Sequence, residues 1–189
     1  ELAGHRLAEL LRALAHSGPR LAGGLDALEH REQGTHAPLT GLRNRRGFEQ
    51  ATGDVAVQSA VLIATDLDKF KSLNDTLGHA AGDAALVHFS SLLATLVRGR
   101  DVAARTGGEE FAIWLPGATL ERGMGVAERI RQALQDSAWH WQGRPWPLTA
   151  SFGVAGWPET TKHRDNLAAQ ADRGLYKAKE RGRNKVLGA

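Results

Sequence analysis

Arg105-Thr106-Gly107-Gly108-Glu109-Glu110-Phe111 decides how this chain is read. Its two glycines separate a β-prone run, Asp101 to Arg105, from an apolar one, Phe111 to Leu115. Gly-Gly between two such runs predicts a tight hairpin whose turn residues need positive φ. Two adjacent carboxylates follow. On a strand they would point to opposite faces, so Glu109 and Glu110 are expected to do different work. Taken alone, the heptapeptide fits a solvated hairpin with two surface acids equally well. A second acidic strand end, Asp66-Leu67-Asp68, breaks the tie. It closes the continuous apolar run Ser59 to Thr65, which predicts a buried strand. Acids at the rim of a core, where a cation sheds part of its water, suit Mg²⁺ or Mn²⁺ that also hold substrate phosphates.

Outward from these two strand ends, the pattern runs strand, helix, helix, strand-hairpin-strand, helix, small hairpin, strand, helix and short strand. Gly78 to Asp83 reads as a turn, with Asp83 opening a long helix carried by Leu86, Val87, Phe89, Leu92, Leu93 and Leu96; an Asp there reads first as a cap. Leu120 to Leu134 is amphipathic. Trp139-His140-Trp141 and Trp146 make a small hairpin whose rings read as packing. Leu148 to Ala155 is a strand, Arg164 to Glu180 the last helix, and Lys185 to Leu187 an edge strand. Upstream, Thr40 is a candidate cap and Asn44 to Gln50 a short helix. The fold class expected is α+β, a ferredoxin-like plan, with helices covering one face of a mostly antiparallel sheet. In that plan the end of the first strand and the hairpin tip are neighbours. Asp66 and Glu109 then meet although 43 residues separate them, a phosphate-metal arrangement of the kind polymerases and cyclases use.

The 189 residues are 42% hydrophobic, enough for one ordinary domain and an appendage. The absence of Cys excludes a disulfide framework and thiolate metal sites, and eight His show no ligand spacing. No apolar run is long enough to span a bilayer, and no signal peptide is visible. A cytoplasmic domain is expected, membrane-attached only through an upstream region. The chain opens on Glu1, not Met, and is read as part of a longer protein. A net charge of +3 tolerates a polyanionic nucleotide without demanding a nucleic-acid polymer. Two parts are expected: residues 1–36, a helical and signalling segment, and 37–189, the catalytic domain. In the first, Leu7, Leu11, Leu14, Leu21, Leu25 and Leu28 follow heptad-like steps broken at Ser17-Gly18-Pro19, as a dimerising coiled coil would.

From about Pro38 to Val186, roughly four-fifths of the sequence, the chain resembles the GGDEF-type diguanylate cyclases. The motifs that carry the resemblance are Leu39-Thr40-Gly41-Leu42 with Asn44-Arg45-Arg46, Asp66-Leu67-Asp68-Lys69-Phe70-Lys71, Asn74-Asp75, Gly78-His79 with Gly82-Asp83, Arg105 with Gly-Gly-Glu-Glu-Phe, Ser151-Phe152-Gly153-Val154-Ala155, and Tyr176 through Lys179 to Asn184. The resemblance implies a nucleotide-cyclase palm and condensation of two GTP into cyclic di-GMP and two pyrophosphates by an antiparallel homodimer. It implies that Asp66, Glu109 and the Leu67 carbonyl bind two Mg²⁺ or Mn²⁺ per site. Asn74 and Asp83 would read guanine; Lys179, Arg183 and Lys71 would hold phosphates; Gly107 and Gly108 would let backbone approach the nucleotide. Glu110 would assist deprotonation of the 3′-hydroxyl. Arg98-Gly99-Arg100-Asp101 matches the family's RxxD product-inhibition motif, with Arg129 a further contact to cyclic di-GMP. One departure is Ala37, where many members carry Asp; an ion pair at the domain entry is then missing. Two rival readings follow: a silent GTP or cyclic di-GMP receptor, and a cyclase with a mixed product.

Overall fold

The computed structural model describes residues 34–53 and 55–189. The heptad leucines and the Ser17-Gly18-Pro19 break lie outside the described residues. Element order follows the expectation. Helix α1 spans Arg45–Gly53, strand β1 Ala60–Leu67, α2 Phe70–Leu77, α3 His79–Leu96, β2 Val102–Arg105 and β3 Glu110–Pro116. Then come α4 (Leu120–Asp136), the two-stranded ribbon β4 (His140–Trp141) and β5 (Arg144–Pro145), β6 (Ala150–Trp157), a 3-10 turn at Arg164–Asn166, α5 (Leu167–Glu180) and β7 (Val186–Gly188).

The main sheet has the order β2-β3-β1-β6-β7. All its pairs are antiparallel except β6 with β7. Strand β1 is central and buried along its whole length, as its unbroken apolar run requires. Alternation then sorts its side chains between two cores. Val61 and Ile63, with Phe111, Ile113 and Phe89, pack beneath α3 and α4. Leu62 and Ala64, with Ala112, Trp114, Phe48 and Ala171, pack against α1 and α5. The expectation of helices on one face is therefore corrected. A strand apolar at consecutive positions needs cover on both sides, and α5 with α1 supplies the second layer.

Two local expectations also change. Thr40 does not cap α1; Asn44 does, accepting from the Gly47 amide at 2.9 Å. The segment Gly78 to Asp83 is not a turn followed by a capping Asp. The break is Gly78 alone, at φ 87°, and α3 starts at His79, leaving Asp83 exposed inside the helix. The Trp ribbon forms as expected, with Trp139 and Trp141 stacked at 6.5 Å and Trp139 buried.

Helix α5 sits on the sheet with no side chain between. A Cβ at Gly153 would collide with the Ala171 carbonyl and the Leu175 nitrogen, and one at Gly174 would lie 2.7 Å from the Leu187 carbonyl. Backbone cannot move aside as a flexible side chain does. A Gly153→Ala substitution is expected to lower stability by about 1–3 kcal/mol and to shift α5 off the sheet. Chemical denaturation measures the first, and faster amide hydrogen exchange in α5 measures the second.

Candidate active site

Asp66 is the penultimate residue of β1 and only 6% exposed. Its register partner on β3 is Glu110, and the Leu67 amide donates to the Glu109 carbonyl at 3.3 Å. Register partners share a face, so Asp66 and Glu110 both look toward α5. From that helix Lys179 Nζ reaches Asp66 Oδ2 at 2.8 Å. Burial pushes the Asp66 carboxyl up to about 6; Lys179 pulls it back, while Glu109 and Asp68 add repulsion. Glu109 thus lies within electrostatic reach of Asp66.

The neighbouring Asp68 has a different task. Its Oδ1 accepts from Ser151 Oγ at 2.6 Å, and its Oδ2 from Thr149 Oγ1 and the Asn184 amide, each at 2.9 Å. That last bond clips down a left-handed turn, with φ of 104° at Gly182, 64° at Arg183 and 45° at Asn184. The turn presents Arg183 in the open, directly after α5.

The hairpin departs from expectation. Neither Gly107 nor Gly108 has positive φ. The strands pair up to Arg105 and Phe111, and the Thr106 and Gly107 amides both donate to the Glu110 carbonyl. The connection is thus wider than a two-residue turn. Arg105 holds it, donating from Nε at 3.0 Å and Nη2 at 2.8 Å to the Gly108 carbonyl. Gly107 is needed for space: a Cβ there would strike Glu110 Oε2. Gly108 faces open space, leaving room for a ligand against the main chain. Glu109 belongs to the loop and Glu110 begins the strand.

Across the loop, Asn74 on α2 and Asp83 on α3 converge. Asn74 Oδ1 is buried without a hydrogen-bond partner, and a Cβ on Gly82 would overlap it. The guanidinium of Arg105 is pushed down by burial and drawn back up by Asp83 and Glu109. Guanidinium, guanine-reading candidates and loop acid therefore share one neighbourhood. Lys71 stands apart in this state, paired with Asp75 at 2.7 Å with both side chains exposed.

Among the described residues, no three His, Cys, Asp or Glu side chains stand together as a metal cage. Asp66, Glu109 and the Leu67 carbonyl are hard oxygen donors only. That set fits Mg²⁺ or Mn²⁺ whose remaining ligands come from phosphate and water.

Sequence reading missed two groups. Asp172 on α5 has a buried Oδ2 without a partner; burial, then Glu110, push its carboxyl up to about 7, while Lys179 pulls it down. Its spacing of seven from Lys179 was the available signal. The second is Arg122, 3.6 Å from Asp101. Burial raises the Asp101 carboxyl, against the pull of Arg122 and Arg129. Arg129 donates to the Leu96 carbonyl at 3.4 Å, and Arg98 Nε to the Thr95 carbonyl at 3.0 Å. The exposed Arg122 and Arg129 therefore flank a largely covered Asp101 near the end of α3.

Fold and site together define an α+β domain whose central strand ends in a buried acid paired with a helix lysine. Residues 35–185 match the family described as diguanylate cyclase, GGDEF domain, and the chain belongs to that family. It is 37% identical over 158 residues to the probable diguanylate cyclase DgcE of Escherichia coli, covering 80% of this chain and 14% of DgcE. It is similar to a structure of diguanylate cyclase SiaD with its activator SiaC from Pseudomonas aeruginosa (TM-score 0.76, 34% identity, 86% of this chain and 65% of that one). It is also similar to the coiled coil and GGDEF domain of DgcB from Caulobacter crescentus in complex with c-di-GMP (TM-score 0.75, 29% identity, 87% and 91%). The chain spans less than half the length of the curated relatives it matches.

Asp66 and Asp172 release protons near 3.8 in an unfolded chain and near 6 and 7 in the fold. Through that window the folded chain holds more protons than the unfolded one, so stability is lost as pH rises. Without metal, the thermal midpoint is expected to fall between about pH 4 and 7 by the equivalent of a few kcal/mol. Asp66→Asn should flatten the slope. A midpoint that rises steadily across this range contradicts the assignment.

Proposed function

We propose that this domain condenses two GTP into cyclic di-GMP and two pyrophosphates as a homodimer, under feedback from its product. The observation that carries the reading is the buried Asp66 at a central strand end, facing Lys179 and within reach of Glu109. A second observation supports it: the Asn74 oxygen is buried without a hydrogen-bond partner and lies against Gly82, the residue before Asp83. Asp83 accepts from the ring N–H and amino group of guanine, a pair that adenine lacks, and Asn74 adds a second polar contact. Lys179 and Arg183 receive the terminal phosphates, with Lys71 swinging over from Asp75. The open backbone at Gly108 lets the triphosphate approach. Divalent cations held by Asp66, Glu109 and the Leu67 carbonyl would neutralise phosphate charge. Glu110 accepts the proton of the attacking 3′-hydroxyl. Each subunit orients one nucleotide, and two subunits face to face align hydroxyl with α-phosphate; positioning and charge, not a covalent nucleophile, supply the rate.

Arg98, Asp101 and Arg129, with Arg122 now beside them, form the inhibitory surface. Guanidiniums there pair with phosphates and the guanine edge and stack on bases. The complex of DgcB with c-di-GMP supports binding of this ligand on the same fold. We place the domain in the cytoplasm, with signal input arriving through residues 1–36; among the described residues no helix is long and apolar enough to cross a membrane.

The test is incubation with GTP and Mg²⁺ and mass analysis of the product. Cyclic di-GMP is expected, its formation stopped by EDTA or by Glu109→Ala. Binding of GTP without turnover would make the domain a receptor instead. Arg98→Ala should relieve inhibition by added cyclic di-GMP while leaving the initial rate in place; a variant as inhibited as wild type removes the regulatory assignment. Gly82→Ala crowds the end of the Asn74 side chain first and the Phe70 ring, 3.1 Å away, less severely. It is therefore expected to raise KM for GTP about tenfold or more, with a smaller effect on the thermal midpoint.

A further inference from the structure

Helix α5 sends a second ionisable group toward the sheet. Asp172 lies seven residues before Lys179, two turns away on the same side of the helix. Its Oδ2 is sealed from solvent and has no hydrogen-bond partner among the described residues. A buried carboxyl oxygen left unpaired is costly, and such costs persist where function demands them. The charges Asp172 senses are Glu110 on β3 and Lys179 on its own helix. Glu110 reaches this face because the register sets it opposite Asp66. Its Oε2 lies where a Cβ on Gly107 would be. Asp172 and Glu110 thus both face the space between α5 and the sheet, and Gly107 borders Glu110 on the loop side.

We propose that Asp172 is a positioning residue for the cyclase reaction: its carboxyl, whose Oδ2 has no hydrogen-bond partner among the described residues, takes up Glu110 from the α5 side when nucleotide is bound and holds it toward the attacking 3′-hydroxyl. The inference rests on the cyclase reading and on the role of Glu110 there. Burial and the neighbouring carboxylate raise the Asp172 carboxyl to about 7, against the pull of Lys179, so near neutral pH a share of the molecules has a hydrogen to donate where two carboxylates would only repel. The residue acts through Glu110 and touches no reacting atom.

Three variants test this beside the wild type: Asp172→Asn, which keeps volume and a donor; Asp172→Leu, which removes both; and Asp172→Leu combined with Glu110→Gln. Steady-state rates with GTP and thermal midpoints are measured for each. Asp172→Leu is expected to lose about tenfold or more in kcat with KM within about twofold, at a midpoint equal to or above wild type. Asp172→Asn should retain most of the rate. In the Glu110→Gln background, Asp172→Leu should cost little more, because the two act as a unit. A fully active Asp172→Leu overturns the inference, as does a fall in midpoint that tracks the loss of rate, an Asp172→Asn variant no better than leucine, or additive losses in the double variant. A wild-type domain that makes no cyclic di-GMP, measured in the same series, overturns the cyclase reading and takes this inference with it.

Discussion

The backbone contact between α5 and β6 is the constraint on which the site depends. At Gly153 and Gly174 helix and strand meet without a side chain between them. Because α5 lies this low, Lys179 reaches an acid buried in the central strand, and Asp172 is buried on the same side of the helix. The same placement brings the chain beyond α5 back over the sheet, where Asp68 accepts from the Asn184 amide across 116 residues of sequence. Lys179, Asp66 and the sheet itself are thus fixed relative to each other by rigid elements, the geometry the proposed positioning catalyst needs.

The electrostatics follow from that placement. Asp66 sits in a core that disfavours its charge, with one lysine as counter-ion. Asp172 is less well served, with an oxygen that no described group satisfies. Neighbouring acids raise both carboxyls further. A bound cation would supply the balancing charge these acids lack, so under the proposed function the free domain is expected to be less stable than the loaded one. Asp68 shows the contrast: three donors surround it, and it serves as a clip instead of a site.

Much of the fold was legible because its signals are strong. A continuous apolar run gave β1, two acids marked its end, and apolar periodicity with turn signals gave the order of elements. What escaped was three-dimensional. Consecutive apolar positions on β1 already demanded cover on two faces, yet the small residues Gly153, Ala171 and Gly174 do not announce a helix packed at backbone distance. The signature glycines invited a φ argument, whereas Gly107 is explained by the Glu110 carboxylate lying over it. Asp83 looked like a cap because Gly82 resembles a break; in the structure Gly82 is helical and makes room for Asn74. Asp172 and Arg122 sit among charged helix residues, where an acid or base ordinarily faces water, so their inward or paired roles had no distinctive local pattern.

The pairing of Asp66 with Glu110 restricts how this domain can change over evolutionary time. Strand geometry alternates faces residue by residue, so a single deletion or duplication inside β3 would turn its acid to the opposite layer and bring Phe111 out of its own. Length variation is therefore confined to the loop before the strand or to the segment after Pro116, and lineages descending from this sequence should diverge there in length while β3 itself varies only by substitution.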